Sequence, residues 1–344
     1  MAHAIPYAFF MESSDHPLTS TSLAEKVAFL GRADSYGATD PVICRETHMS
    51  WVFLAGSQVY KLKKPLRLPY LDFSTLERRR AMCEAELALN RRLAPDVYKH
   101  LTPLTRSGGR YELGGAGEVV DWLVVMRRLD ESASLEQLLL ARTLTVRQLD
   151  TVITTLAGFY RRARRVGLPP DALMFRWQAN LTENRRILFN PRLGLPAGLV
   201  LRLDGLERVL LREHQSAIRS RARFTVDGHG DLRPEHIWPG PPVRIIDCLE
   251  FNARLRAVDP LDEMAFLALE CERLGGKALA GHVKRRAAAE LPGGYCEAAF
   301  GFYRRYRAML RARLAIAHLL EPHPRTPEKW HRLAMCYLEL ASGQ

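Results

Sequence analysis

Short strand-like runs crowd the first part of the chain, and helical spacing dominates the second. Ser50-Trp-Val-Phe-Leu54 and Val59-Tyr-Lys-Leu-Lys63 are two apolar-rich runs with Ala55-Gly56-Ser57-Gln58 between them. That arrangement predicts a hairpin, whose second strand Pro65 ends. Ahead of it, a polar, turn-rich lead-in of about 20 residues precedes a short helix predicted over Ser22 to Leu30. Phe73-Ser-Thr-Leu76 opens a longer helix that runs to about Leu93, where Ala94-Pro95 stops it. A further β stretch includes Arg110-Tyr-Glu-Leu113, and Gly114-Gly-Ala-Gly117 turns the chain. Val119 to Arg127 then reads as a buried strand. From Ser134 the pattern is helical, except over Phe224 to Phe251, where a loop at His229 and a strand over Val243 to Asp247 are predicted. Pro260 to Leu274, Glu297 to Leu320 and Lys329 to Ala341 complete the predicted helices. The expectation is an α+β fold of two lobes: a small β-rich one over 1–125 and a larger, mainly helical one over 126–344, with the hinge in Val119 to Leu129.

With 344 residues, 47% of them hydrophobic, the chain can bury a sizeable core. No apolar run approaches the roughly 20 residues that span a bilayer. The N-terminus has no basic region ahead of an apolar stretch, so a cytoplasmic protein without a membrane partner is expected. The six cysteines are scattered without C-x-x-C spacing, which gives a structural zinc no support and suits a reducing compartment. Net charge is +12, and eight lysines among fifty basic residues make the excess an arginine one. These arginines spread along the whole chain and do not interleave with aromatics, so nucleic acid is not the expected partner. Oligomeric state is not legible.

The chemistry-bearing pattern is His229-Gly-Asp-Leu-Arg-Pro-Glu-His236-Ile followed by Ile245-Ile-Asp247-Cys-Leu-Glu-Phe. It resembles the catalytic loop and metal-binding strand of the aminoglycoside phosphotransferase and choline kinase group, which has the protein-kinase-like fold. More narrowly, Glu46-Thr-His-Met-Ser-Trp-Val-Phe, Tyr60-Lys-Leu-Lys-Lys-Pro, Leu71-Asp-Phe-Ser-Thr-Leu-Glu-Arg-Arg and Glu86-Leu-Ala-Leu-Asn-Arg-Arg-Leu-Ala-Pro are similar to a bacterial family of aminoglycoside-phosphotransferase-like proteins. Some members of that family carry a C-terminal P-loop kinase domain; no G-x-x-x-x-G-K-[ST] motif occurs in this sequence.

The resemblance implies ATP, Mg²⁺ (or Mn²⁺) and a small-molecule hydroxyl acceptor. Phosphoryl transfer asks a protein for positioning and charge neutralisation more than for covalent chemistry. Asp231 would accept the proton of the acceptor hydroxyl or orient it, with His229 bracing the loop. Asp247 would hold the metal. Lys61, with Lys63 as second choice, would contact the phosphates, and Glu86, with Glu84 as fallback, would pair with the lysine. Thr47 and Ser50 occupy the place of a glycine-rich loop, where they and local N–H groups would cradle phosphate. The backbone of Met126, Arg127 and Leu129 would receive adenine.

One position departs from the group's pattern. His236 stands where an asparagine is expected as second metal ligand, five residues after Asp231. Imidazole binds divalent metals but favours softer ones than an amide oxygen does. That leaves a nucleotide-binding pseudokinase or regulator as an alternative. A metal-dependent hydrolase built on His229, Asp231, His236 and Asp247, and an RNA-associated protein, are the remaining alternatives. Asp259 and Asp262 are expected to start a helix, and Tyr303, Tyr306 and Leu310 share a helical stripe that suits core better than pocket.

Overall fold

The computed structural model describes residues 20–68, 70–321, 324 and 326–343; nearly all of the predicted polar lead-in lies outside them. The chain forms two compact units. One comprises residues 20–131 together with Arg244–Asn252; the other comprises Ser132–Val243 and the residues from Ala253 onward.

In chain order the first unit holds α1 (Ser20–Leu30), β1 (Ile43–Glu46), β2 (Ser50–Ala55), β3 (Gln58–Lys63), the short β4 (Arg67–Leu68) and β5 (Leu71–Asp72), α2 (Leu76–Asn90), β6 (Tyr98–Ser107), β7 (Arg110–Leu113) and β8 (Glu118–Arg127). Six strands make one antiparallel sheet in the order β1-β2-β3-β8-β6-β7, with β4 and β5 pairing separately. The predicted hairpin is β2–β3, with Lys61 opposite Val52 and Lys63 opposite Ser50. Thr75 caps α2 by accepting the Arg78 N–H, so this helix starts three residues later than Phe73 and ends at Asn90. Asp121 interrupts the apolar strand β8 for a structural reason. Its buried carboxylate takes Lys26 Nζ of α1 (2.9 Å) and Arg79 Nε of α2 (2.8 Å), tying both helices to the sheet. Cys83, Ala94, Val97, Tyr98, Val124 and Met126 form a core cluster in which Ile246 also packs.

The second unit is mainly helical: α3 (Leu135–Leu140), α4 (Val146–Arg162), α5 (Pro170–Leu188), α6 (Ala197–Glu213) and α7 (Gln215–Ser220) precede the short β9 (Val226–Asp227) and β10 (Ile237–Trp238). After β11 (Arg244–Ile245), which packs within the first unit, come α8 (Ala253–Arg256), β12 (Ala257–Val258), α9 (Pro260–Gly275), α10 (Lys277–Glu290), α11 (Glu297–Ala317) and α12 (Pro327–Ser342). Every residue of α9 from Pro260 to Cys271 is buried, which makes it the central helix of the unit. Asp259 caps it through the Leu261 N–H (3.0 Å), as expected, and also binds Arg221 with both oxygens. Tyr303, Tyr306 and Leu310 are core: Trp177 of α5 packs on the two tyrosines with centroids 5.3 and 4.8 Å away.

Buried charge in this unit is not always compensated. Glu207 of α6 has one carboxyl oxygen with no hydrogen-bond partner among the described residues. Burial, reinforced by Asp204, pushes its pKa up to about 8.

Of the cysteines, Cys83, Cys248 and Cys271 are buried free thiols, and Cys44 is exposed. No helix among the described residues is long and apolar enough to cross a membrane.

Candidate active site

The first unit gathers Lys61, Lys63, Glu86 and Asp247. Alternation along β3 places both lysines on one face, and α2 carries Glu86 to meet them. Lys61 Nζ donates to Glu86 Oε1 and to Asp247 Oδ1, each at 2.8 Å. Lys63 Nζ donates to Glu86 Oε2 at 2.7 Å and also to Glu250. The carboxylate of Glu86 is thus shared by both lysines, whereas Glu84 is exposed and pairs with Arg80 at 2.9 Å. Exposure separates the two lysines: the side chain of Lys61 is 15% exposed and that of Lys63 is 1%.

Burial disfavours charge on all three groups, and mutual attraction reverses this. Burial lowers the Lys61 ammonium, but Asp247, Glu86 and Glu250 outweigh it and hold the group protonated well above its ordinary range. Burial likewise pushes Glu86 up, and the two lysines pull it below the ordinary glutamate value.

Asp247 does not end a strand. The strand β11 stops at Ile245, Ile246 turns into the core, and Asp247 takes a left-handed backbone with φ of 62°. Such a conformation persists in a residue with a Cβ only when its surroundings hold it. Here the Asp247 N–H donates to the Tyr98 hydroxyl at 3.2 Å, and the Cys248 N–H donates to Asn90 Oδ1 at 2.8 Å. Sequence reasoning missed Tyr98, Asn90 and Glu250.

Of the other predicted residues of this unit, Ser50 lies opposite Lys63 across the β2–β3 hairpin. Thr47 and Ser50 close the turn between β1 and β2. Thr47 Oγ1 donates to Ser50 O (2.8 Å) and accepts the Ser50 N–H (2.9 Å), while the Thr47 N–H donates to Ser50 O (2.8 Å). These two N–H groups are therefore spent on the turn itself. At the end of β8 the Arg127 N–H donates to Val97 O and the Arg128 N–H to Ser57 O, both at 2.8 Å. Met126 and Leu129 pack in the core cluster.

The second unit gathers His229, Asp231 and His236. Pairing of β9 with β12 sets the start of their loop, with Asp227 opposite Ala257. The loop is then pinned by Glu263 of α9, which sequence reasoning also missed. Its buried carboxylate accepts the His229 N–H (3.1 Å) and the Gly230 N–H (2.5 Å). Two glycines permit this. A Cβ on Gly228 would lie 2.8 Å from Glu263 Oε2, and Gly230 has φ of 90°. His229 is wholly buried, and its Nδ1 accepts the Asp231 N–H at 3.3 Å, so it braces the loop.

Asp231 receives Arg233 Nε on Oδ2 at 2.9 Å. Burial pushes its carboxyl up, but Arg233 and Arg311 oppose this, and it lies below the ordinary aspartate value. Glu263 shows the opposite balance: burial outweighs its two N–H donors and Arg307, so its carboxyl is raised.

Among the described residues, no three His, Cys, Asp or Glu side chains group closely enough to hold a metal. Mg²⁺ needs less from a protein: one or two carboxylates, with water and substrate phosphates completing its shell. Asp247, with a side chain 42% exposed, suits that demand. His236 does not, because both ring nitrogens are already engaged, Nδ1 with Asp231 O and Nε2 with Arg233 Nη2, each at 3.0 Å.

Comparison with solved structures identifies the architecture. A choline/ethanolamine kinase family protein from Mesorhizobium loti aligns over 94% of this chain and 95% of its own, at TM-score 0.52 and 16% identity. The GDP complex of aminoglycoside 2'-phosphotransferase-IIIa aligns over 89% of this chain and 93% of its own, at TM-score 0.55 and 14% identity. The chain has the protein-kinase-like fold in the form seen in aminoglycoside phosphotransferases and choline/ethanolamine kinases. In sequence it is 33% identical over 309 residues to uncharacterized proteins of Mycobacterium tuberculosis and Mycobacterium bovis. That match takes in 86% of this chain and 59% of those proteins, so the chain spans about three-fifths of the length of the curated relatives it matches. No family model matches the chain.

Proposed function

We propose that the protein is an ATP-dependent phosphotransferase that moves the γ-phosphate to a hydroxyl of a small molecule. The observation that carries this reading is the pairing of Lys61 with both Glu86 and Asp247. An ammonium held protonated by two carboxylates, and still partly exposed, suits the α- and β-phosphates of a nucleotide. Lys61 takes that role, and the buried Lys63 holds Glu86 and Glu250 in place. Asp247 is the carboxylate for Mg²⁺, which when bound neutralises charge on the phosphates. The fold is also that of a neighbour solved with GDP, so GTP belongs beside ATP in any test.

In the second unit Asp231 orients the acceptor hydroxyl. A carboxylate below its ordinary pKa is a weak base, which suits a loose transition state where the proton leaves late. Glu263 and His229 keep the loop's shape without touching the reacting atoms. The N–H groups of Arg127 and Arg128 are committed to the sheet, so a purine on this segment is recognised through its other backbone groups.

A screen of ATP and GTP consumption against a library of metabolite alcohols tests the reading, with Asp231→Ala as control. Acceptor-dependent turnover should fall by about a thousandfold or more in the variant, roughly the upper part of what a positioned base supplies, while nucleotide affinity measured by calorimetry stays within a few-fold. Unchanged turnover in Asp231→Ala removes the assignment, and failure to bind either nucleotide removes the reading.

A second reading, a nucleotide-binding protein with little turnover, is favoured by one observation: Arg233 engages both Asp231 and His236. Rapid turnover with any acceptor rejects it.

A further inference from the structure

We propose that Arg233 stands in for a second divalent cation, so that the helical unit brings a guanidinium, and no metal ligand, to the phosphotransferase reaction proposed above. The inference deepens that reading and rests on it.

The geometry begins with Arg-Pro-Glu-His as a turn. Arg233 precedes a proline and is extended, with φ −110° and ψ 152°. Pro234 to His236 form a single 3₁₀ turn, closed by the His236 N–H on Arg233 O at 3.0 Å. This turn folds the guanidinium back over the loop. Its Nε meets Asp231 Oδ2 at 2.9 Å, its Nη1 meets Glu235 Oε1 at 2.6 Å, and its Nη2 meets His236 Nε2 at 3.0 Å. A single planar cation therefore spans the catalytic carboxylate, a second carboxylate and the imidazole.

The donor and acceptor roles of the two His236 nitrogens follow from their partners. A guanidinium nitrogen can only donate, so Nε2 must accept. A backbone carbonyl can only accept, so Nδ1 carries the proton that is donated to Asp231 O at 3.0 Å. In this arrangement the one ring lone pair points at Arg233. A metal on His236 needs that same lone pair. It would also bring two positive charges against a guanidinium that never loses its own. The imidazole that breaks the expected asparagine pattern is thus a brace for Arg233. The positive charge that a second ion would supply beside Asp231 is already part of the chain.

The test is titration with Mn²⁺ alone, followed by paramagnetic broadening of the His236 imidazole signals and by calorimetry. In the wild-type protein His236 should stay sharp at millimolar Mn²⁺. Arg233→Ala should broaden His236 selectively, with affinity at least tenfold tighter, and Arg233→Ala/His236→Ala should lose that site. Arg233→Lys keeps a charge and serves as the variant with the least disturbance to folding. It should still keep Mn²⁺ off His236. Wild-type Mn²⁺ binding seen by calorimetry that His236→Ala abolishes overturns the inference, and so does an Arg233→Ala variant that folds and gains no Mn²⁺ site. With a non-hydrolysable ATP analogue added, electron paramagnetic resonance should count one bound Mn²⁺ per chain, and two would overturn it. If the analogue does not bind, the phosphotransferase reading falls, while the nucleotide-free titration still decides whether Arg233 excludes metal.

Discussion

Each unit anchors its part of the candidate machinery on a fully buried glutamate, and the two glutamates behave in opposite ways. Glu86 in the sheet unit accepts from two lysine ammoniums, and Glu263 in the helical unit accepts from two backbone N–H groups. Both lose their hydration on folding. Glu86 nonetheless sits below the ordinary glutamate value and Glu263 above it. Counting hydrogen bonds does not separate them. Full charges at 2.7 and 2.8 Å repay desolvation, and amide dipoles at similar range do not. One anchor is a charged part of a site; the other is a clamp on main chain.

Three substitutions sharpen the contrast, from large effect to small. Glu86→Gln should cost the most, about 3–5 kcal/mol of unfolding free energy, because it leaves two buried ammoniums short of a counter-charge. Asp247 and Glu250 remain beside them, which favours the lower end of that range. Denaturant unfolding at pH 7 measures it, and a loss under 1 kcal/mol would mean the pair is hydrated. Glu263→Gln should cost less, about 1.5–3 kcal/mol, since the amide oxygen can still accept one N–H. Its acceptor-dependent rate should fall more than its stability does, because the loop carrying Asp231 loses its pin.

The smallest step concerns Glu207, a buried carboxyl without a cation close enough to satisfy it. Its folded pKa of about 8 lies above the unfolded value, so the folded state keeps a proton that the unfolded chain releases. Stability is then fully present below the unfolded pKa and declines as pH rises toward 8, by at most about 1.4 kcal/mol per pH unit. Glu207→Gln should flatten this slope between pH 5 and 8, and equal slopes in both proteins would place the proton elsewhere.

Most elements were legible in the sequence, because apolar spacing and turn residues mark the hairpin β2–β3, helix α2, strand β8 and the long helices. Strand β1 was not, since its four residues are exposed and carry no alternating apolar signal. The strand before Asp247 was overextended because Ile246 looks like one more strand residue, while its contacts are those of a core side chain at a turn. Within the candidate site, His229, Asp231, Lys61 and Glu86 were legible through motif and order. Tyr98, Asn90, Glu250 and Glu263 were not. Asn90 acts on Cys248, 158 positions away, and nothing near it in sequence marks that role. Arg233 was visible only as an arginine before a proline.

Asn90 carries a last consequence. Its amide nitrogen donates to Glu86 O at 2.9 Å, one turn back along α2, while its oxygen holds the Cys248 N–H. Helix α2 and the segment bearing Asp247 are therefore joined through one side chain. A shift of α2 thus acts directly on the residue that follows Asp247, through a hydrogen bond worth about 1 kcal/mol.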